Sequence, residues 1–498
     1  MNMDTVRIQL EPLSAVIEVP RFASLVSTLA AHGLEFPCGG TARCGACRVR
    51  ILSGSLAVTD ADADMFSAEE LANGWRLACQ ARAEAPLVIE CAQWHMDVLT
   101  DNSTVSAAGR PGLGIAIDLG TTTIAAQMIE LSTGSVLAVE TNLNPQASFG
   151  SDVMSRIQAS LSGADLTTVV RAALRQMIAR LTAGREQEVT DVVLVGNTVM
   201  HHLFAGLDVA PLSQVPFRSP HLGVQRFQPR ELGWALPPDC RIRFERCIGG
   251  FVGADILAGI LAVGMNRADD LLALIDLGTN GEIAIGNRHG IVCASTAAGP
   301  AFEAGSIRMG MRAATGAISR VFLAHDQIQA TVIGNVEARG ICGSGLVDAV
   351  AAGLQSGQIL PSGRIAGGTK IFPVKDDVVL FQSDIRELQL AKGAIASGFR
   401  LLLKRMGATA DSLQSIYLAG AFGNYVQIES AIAIGLIEAP RDRIHAAGNT
   451  ALRGAKILLL SAGEPALPHI EHVSLAADPS FQDEFSNCMT FPEAVGAG

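Results

Sequence analysis

Four cysteines, Cys38, Cys44, Cys47 and Cys79, have the types and spacing to hold a metal centre. The first three lie in Phe36-Pro-Cys38-Gly-Gly-Thr-Ala-Arg-Cys44-Gly-Ala-Cys47, and the fourth follows in Leu77-Ala-Cys79-Gln80. Thiolate sulfur suits iron–sulfur clusters and zinc. The loop separates the two, because Gly39, Gly40 and Gly45 let backbone amides wrap closely around inorganic sulfide. A zinc ribbon more often shows two matched C-x-x-C knuckles, and only one close pair is present. Cys91 reads as a strand residue, and Cys240, Cys247, Cys293, Cys342 and Cys488 have no ligand spacing and read as buried thiols.

A second chemistry sits further along. Ile117-Asp-Leu-Gly-Thr121 recurs word for word as Ile275-Asp-Leu-Gly-Thr279. Each copy stands between two apolar runs, which predicts a hairpin whose tip offers backbone amides and hydroxyls. Thr121, Thr122 and Thr279 can bond phosphate oxygens there. Asp118 and Asp276 can hold Mg²⁺, usually through water. Glu282 or Asp276 could orient an attacking water. A third apolar strand, Ile416–Ala419, ends in Gly420-Ala-Phe-Gly423, a turn able to pass close under a flat ring. Gly343-Ser-Gly345 at a helix start is expected to offer free amides to an anion. No P-loop or strand-linked G-x-G-x-x-G occurs.

The elements that must position these groups are legible in the periodicity. Val6–Leu10, Ala15–Val19, Cys47–Leu52 and Pro86–Glu90 read as strands and Phe22–Ala31 as a helix. Over residues 1 to about 93 this order resembles the plant- and vertebrate-type [2Fe–2S] ferredoxins, a β-grasp fold. The five-residue first gap is closer to the adrenodoxin-like spacing than to the four of the plant type. The resemblance assigns Cys38, Cys44, Cys47 and Cys79 to the cluster. Residues 1–94 are therefore expected to form the first domain, and 95–112 reads as a linker by composition. The duplicated hairpins predict two related lobes, beginning near 114 and 271, within a domain spanning 113–498.

That domain resembles the actin–sugar-kinase–heat-shock (ASKHA) superfamily, a two-lobed α/β fold of duplicated ribonuclease-H-like halves closing on ATP. The resemblance places Asp118, Gly120, Thr121 and Thr122 in the first phosphate motif. The second takes Asp276, Gly278, Thr279, Asn280, Gly281 and Glu282. Gly420 and Gly423 fall in the adenosine motif, where Ala421 replaces a glycine of many relatives. Nearly the whole chain, including Asn142–Gln146, Ser151–Arg156, Leu194–His202 and Ala298–Glu303, resembles the reductive activators of corrinoid-dependent methyltransferases. That resemblance implies ATP-dependent return of cob(II)alamin to cob(I)alamin, a corrinoid-protein partner and an upstream electron donor, and is compatible with a homodimer. Two other readings stay open: an ATP-gated ferredoxin-type reductase for another low-potential acceptor, and a non-enzymatic, nucleotide-dependent redox-sensing adaptor. Adjacent His201 and His202 are expected to point apart, as packed or solvated side chains.

Composition bounds these expectations. The 498 residues are long enough for several cores, and 49% hydrophobic with 17% charged residues is globular. A net charge of −11 argues against non-specific nucleic-acid binding. No apolar run reaches the roughly 20 residues of a membrane span. Ten cysteines without an export signal point to the cytoplasm.

Overall fold

The computed structural model describes residues 5–11, 15–31, 34, 36, 40–42, 47–91, 100–107, 109–150, 152–278, 280–314 and 316–493. Alternation along the first strands, with Val6, Ile8 and Leu10 buried and Thr5 and Arg7 exposed, gives one covered face. This unit comprises β1 (Thr5–Glu11), β2 (Ala15–Pro20), α1 (Leu25–Ala31), β3 (Arg48–Ser53), α2 (Asp60–Met65), α3 (Ala68–Ala72), β4 (Trp75–Leu77) and β5 (Leu87–Cys91). The sheet order is β2-β1-β5-β3-β4, with β1 and β5 parallel and the other pairs antiparallel. That is a β-grasp. Helix α1 buries Leu25 and Leu29 in its core with Phe36 and Val49. Capping boxes, Thr59 with Asp62 and Ser67 with Glu70, start α2 and α3.

Part of the stretch read as a linker is built into the core of the next domain. Asp101 pairs with the fully buried Lys456, whose Nζ also donates to the Ser103 carbonyl at 2.6 Å. Gln127 Nε2 donates to the Asp101 carbonyl at 2.6 Å, and Val105 and Ala107 pack on the adjacent core. A buried ion pair is costly to open by halves, so this segment is tied down.

The first lobe holds β6 (Leu113–Leu119), β7 (Thr123–Glu130), β8 (Val136–Leu143), α4 (Val153–Leu161), α5 (Leu166–Thr182), β9 (Val189–Val195), α6 (Thr198–Ala205), β10 (Gln225–Phe227), α7 (Pro229–Leu232), β11 (Arg241–Phe244) and α8 (Ala254–Ala262). The second begins with β12 (Leu271–Leu277), β13 (Gly281–Asn287), β14 (Gly290–Thr296), β15 (Ala317–Ala324), β16 (Gln327–Val332), β17 (Gly340–Ile341) and α9 (Gly343–Gln355). It continues through β18 (Ile371–Lys375), β19 (Val378–Phe381), α10 (Gln382–Arg405), β20 (Leu413–Ala419), α11 (Gly420–Tyr425), α12 (Ile428–Ala433), β21 (Ile444–Gly448), α13 (Thr450–Leu460), β22 (Ile470–His472) and α14 (Phe481–Met489).

The duplication seen in two short words extends to topology. The sheets run β10-β11-β9-β6-β7-β8 and β21-β20-β12-β13-β14-β22. In each, an antiparallel meander (β6-β7-β8; β12-β13-β14) is extended on its first strand by two parallel strands. Strands β6 and β12 are covered on both faces and read as continuous apolar runs for that reason. Helices α8 and α13 pack against each other between the lobes. Gly454 permits this, since a Cβ there would lie 2.0 Å from the Ala258 carbonyl oxygen.

The Gly343-Ser-Gly345 expectation needs correcting. All three residues are buried. A Cβ at Gly343 would fall 1.7 Å from the Phe302 carbonyl oxygen, and one at Gly345 2.2 Å from that of Ile318. Ser344 Oγ donates to the Ser319 carbonyl at 3.1 Å. The small residues let α9 seat tightly on neighbouring backbone, and no face is left for an anion. Among the described residues, no helix is long and apolar enough to cross a membrane.

Candidate functional site

Two sites emerge. In the β-grasp unit, β3 pairs with β4 so that Arg48 faces Leu77, and the Ala78 amide donates to the Cys47 carbonyl at 3.0 Å. This brings Cys47, buried, beside Cys79 in the Ala78–Gln80 turn. Gly40 lies over the same point. Gly40 sits at φ +81°, and a Cβ there would lie 3.9 Å from that of Cys79. Gln80 Nε2 donates to the Gly40 carbonyl at 3.1 Å and reaches the Cys79 sulfur at 3.6 Å. An amide aimed at sulfur, a left-handed glycine and two converging thiols fit a thiolate-held cluster. Cys38 and Cys44 lie outside the described residues. The scattered cysteines differ in kind: burial pushes the thiols of Cys240, Cys247 and Cys293 up to about 12, which keeps them protonated. Cys342 and Cys488 are also buried, and Cys91 ends β5.

The second site lies where the two sheets present the carboxyl ends of their central strands. Asp118 stands between Ala125 and Val195, and Asp276 between Glu282 and Ala419. The Gly120 amide closes the first hairpin on the Thr123 carbonyl at 3.0 Å, and the Gly278 amide meets that of Asn280 at 3.1 Å. Thr121 Oγ1 accepts from Asn197 Nδ2 at 2.8 Å, and the Thr122 carbonyl accepts the Asn144 amide at 2.9 Å. Thr279 lies outside the described residues.

The parallel strands end in matching glycines. A Cβ at Gly196, after β9, would lie 2.5 Å from the Leu119 carbonyl oxygen. One at Gly420, after β20, would lie 2.9 Å from that of Leu277 and 2.5 Å from Asp276 Oδ1. Gly196-Asn197 is thus the first-lobe counterpart of Gly420-Ala421, an equivalence the differing residues hide. Gly281 and Gly423 are small for packing: a Cβ would lie 1.7 Å from Ile395 Cδ1 at the former and 3.1 Å from the Leu418 carbonyl carbon at the latter.

Electrostatics mark this cleft strongly. Burial raises Asp118 to about 6, against a hydrogen bond from Asn449 Nδ2 at 2.9 Å that pulls the other way. Burial and then the Asp118 charge raise Asp276 to about 7. Burial, then Asp276, raise Asp255 to about 8. Glu282 is held well above the carboxylate range by burial, then by Asp255 and Asp276, although Ser295 Oγ donates to it at 3.2 Å. Four carboxyl groups therefore crowd one low-dielectric space and oppose one another's ionisation. Among the described residues, no group of three or more of these side chains is gathered as direct ligands of one metal ion.

Sequence reasoning missed two members. Asp255 lies in the first turn of α8, where the only signal was Gly249-Gly-Phe-Val-Gly253 ahead of an apolar helix. Asn449 caps α13, its Oδ1 accepting the Leu452 amide at 2.7 Å while its Nδ2 reaches Asp118.

Motifs without an assigned role also converge behind the first hairpin. Asn144 Nδ2 donates to the Gly120 carbonyl at 2.9 Å. Arg156, fully buried, donates from Nε to the Gly150 carbonyl at 3.0 Å and from Nη1 to Gln146 Oε1 at 3.5 Å. Contrary to expectation, His201 and His202 turn toward each other, with Nδ1 atoms 3.4 Å apart. His202 is held by Ser219 Oγ at 2.6 Å and the Thr198 carbonyl at 2.7 Å. Burial lowers both, His201 to about 4, so the pair is neutral and structural.

Comparison with known proteins covers both sites. Residues 8–84 match the family model of the 2Fe-2S iron-sulfur cluster binding domain. Residues 113–268 match the RACo middle region, and residues 270–496 the C-terminal domain of RACo, the ASKHA domain. The chain is 34% identical over 427 residues to the corrinoid activation enzyme RamQ of Eubacterium limosum, covering 78% of this chain and 71% of that one. It is 28% identical over 385 residues to the reductase of the Co(II) methylated amine-specific corrinoid protein of Methanosarcina barkeri, covering 70% of each. The solved structure of a reductive activator for corrinoid, iron-sulfur protein superposes over 98% of both chains, with a TM-score of 0.66 and 26% identity.

Proposed function

The chain belongs to the reductive activators of corrinoid proteins, and from that premise we propose that it returns cob(II)alamin on a partner protein to cob(I)alamin by an ATP-dependent one-electron step. The observation that carries this reading is the presence, on one chain, of converging cysteines and a duplicated cleft lined by four carboxyl groups, Glu282 buried and Asp118, Asp255 and Asp276 half-buried. A [2Fe–2S] cluster held by Cys38, Cys44, Cys47 and Cys79 supplies the single-electron chemistry when bound. An upstream donor must recharge it. ATP belongs between the hairpins at Gly120–Thr122 and Gly278–Asn280, with its adenosine end toward the Gly420–Gly423 turn. Asp118 and Asp276 are suited to hold Mg²⁺ through water. Glu282 or Asp276, paired across β12 and β13, is suited to orient an attacking water, with Asp255 beside them in the same carboxyl cluster. Plant-type clusters lie near about −400 mV, and each ~59 mV by which an acceptor lies lower costs tenfold. Nucleotide binding offsets such a deficit by favouring one state of the complex.

An anaerobic absorbance assay tests this. Reconstituted protein, a chemical reductant, Mg·ATP and a partner loaded with cob(II)alamin should yield cob(I)alamin only when all are present. Equal rates without ATP would remove the nucleotide from the reaction; no reduction in the full mixture would remove the activity.

The carboxyl cluster carries its own pH signature. Asp118, Asp276 and Asp255 have folded pKa values of about 6, 7 and 8, above an unfolded value of about 4. A raised folded pKa gives stability that is full below pH ~4 and is lost as pH rises through 6 to 8. The cation-free protein should therefore lose melting temperature across that window, and millimolar Mg²⁺ should restore more at pH 8 than at pH 5.5. Calorimetry showing the same Mg²⁺ effect at both pH values would contradict a cation site on these acids.

A further inference from the structure

The cysteine-bearing domain touches both lobes. Helix α1 packs against the Pro145–Phe149 turn of the first lobe. On the second lobe, Arg339 Nη1 pairs with a Glu90 carboxylate oxygen at 2.5 Å, and Arg48 Nη2 donates to the Arg308 carbonyl at 3.4 Å. A domain of about 90 residues thus bridges the two halves that enclose the carboxylate cleft.

The footholds are unequal. On the first lobe, the Pro145–Phe149 turn is pinned on both sides. Asn144 bonds the Gly120 and Thr122 carbonyls and caps the Gln146 amide at 3.0 Å, while Arg156 holds the Gly150 carbonyl. The connecting chain is anchored there too, since Gln127 of β7 donates to the Asp101 carbonyl at 2.6 Å and Val105 and Ala107 pack on the first lobe's core. On the second lobe, the guanidinium of the ion pair is 52% exposed and the hydrogen bond is long. Exposed pairs of this kind hold weakly.

We propose that the cysteine-bearing domain is a strap across the cleft that nucleotide releases. When the lobes turn toward each other on nucleotide, the two footholds change their relative position, and packed surfaces do not stretch to follow. The domain lets go of Arg339 and Arg308 and stays with the first lobe, to which both the Pro145–Phe149 turn and the linker belong. Arg48 directly follows Cys47, so release uncovers the face beside Cys47 and opens it to an electron-accepting partner. The inference rests on the cleft being a nucleotide site.

Linkage supplies a test that does not depend on turnover. If nucleotide frees the strap, then weakening the second-lobe foothold must tighten nucleotide binding by the same factor. Titration of Mg·AMPPNP into the full chain should show about 1.5- to 5-fold tighter binding for Glu90→Arg and for Arg339→Glu, each repelling its former partner. The double variant, with the charges exchanged, should return to the parent value. In hydrogen–deuterium exchange of the parent, AMPPNP should speed exchange around 308–310 and 339–341 without doing so at 145–149. Unchanged or weaker binding in the single variants, with the parent binding normally, overturns the strap alone. A parent that binds no AMPPNP overturns the reading of the cleft and the strap with it.

Discussion

Replacing Cys79 by serine should abolish corrinoid reduction, by at least about a hundred-fold, while leaving nucleotide affinity within about two-fold of the parent. A serine hydroxyl stays protonated where a thiolate would bind iron, so one of four ligands is lost and the electron has no resting place. The effect should remain local because the β-grasp unit has its own core, with Ile8, Leu10, Leu25, Leu29 and Ile89 buried inside it. Among the described residues, it meets the lobes through α1, Glu90 and Arg48. Iron content and visible absorbance would be measured beside calorimetric titration of AMPPNP. Retained colour and iron in Cys79→Ser would remove this residue from the ligand set. Loss of nucleotide affinity together with intact iron would undo the division of labour between the two sites.

The second large effect is a trade between stability and turnover. Asp276→Asn keeps the size and removes a charge from the most crowded part of the cleft. Asp276 raises both Asp255 and Glu282 by repulsion. Without it, both should ionise more readily, and the cation-free protein should melt higher at pH 8, where the parent bears the largest penalty. On the proposed reading the same change weakens the hold on Mg²⁺, a loss worth several kcal/mol of transition-state stabilisation, or roughly 10²- to 10³-fold in ATP hydrolysis. Melting temperature and phosphate release in one preparation would show both signs. Undiminished hydrolysis would take Asp276 out of the site, and a lower melting temperature at pH 8 would refute the electrostatic account of the cluster. Gains in stability on removing a functional charge are expected wherever a site is built against its own stability.

How far the sequence could be read varied by residue. The β-grasp order was legible because its strands alternate with period two, as Val6, Ile8 and Leu10 do. The hairpins were legible because each is a single local segment, repeated. Glycines were harder, since the same residue serves a turn at Gly40, a close strand approach at Gly420 and helix seating at Gly343. Only the neighbour, which lies elsewhere in the chain, tells these apart. His201 and His202 are packed, as expected, but they do not point apart, for a related reason. Backbone geometry separates adjacent side chains, but the pocket built by Ser219, Gly223 and Phe244 turned both rings inward.

The amino-acid order alone pointed to the two chemistries, because most of each set is written in short words: a glycine-laced loop with three of the four cysteines and a doubled Asp-Leu-Gly-Thr. It also determined that there are two lobes, since one hairpin word used twice implies one fold used twice. Tertiary structure alone decided which other groups complete the cleft. Asn449 reaches Asp118 from 331 residues away, and Asp255 arrives on the first turn of a helix with no motif of its own. It also decided that the cysteine-bearing domain stands on both lobes. Neither outcome is encoded locally, because a carboxyl group's ionisation and a domain's footing depend on what is brought within a few ångströms, and separation along the chain says nothing of that distance.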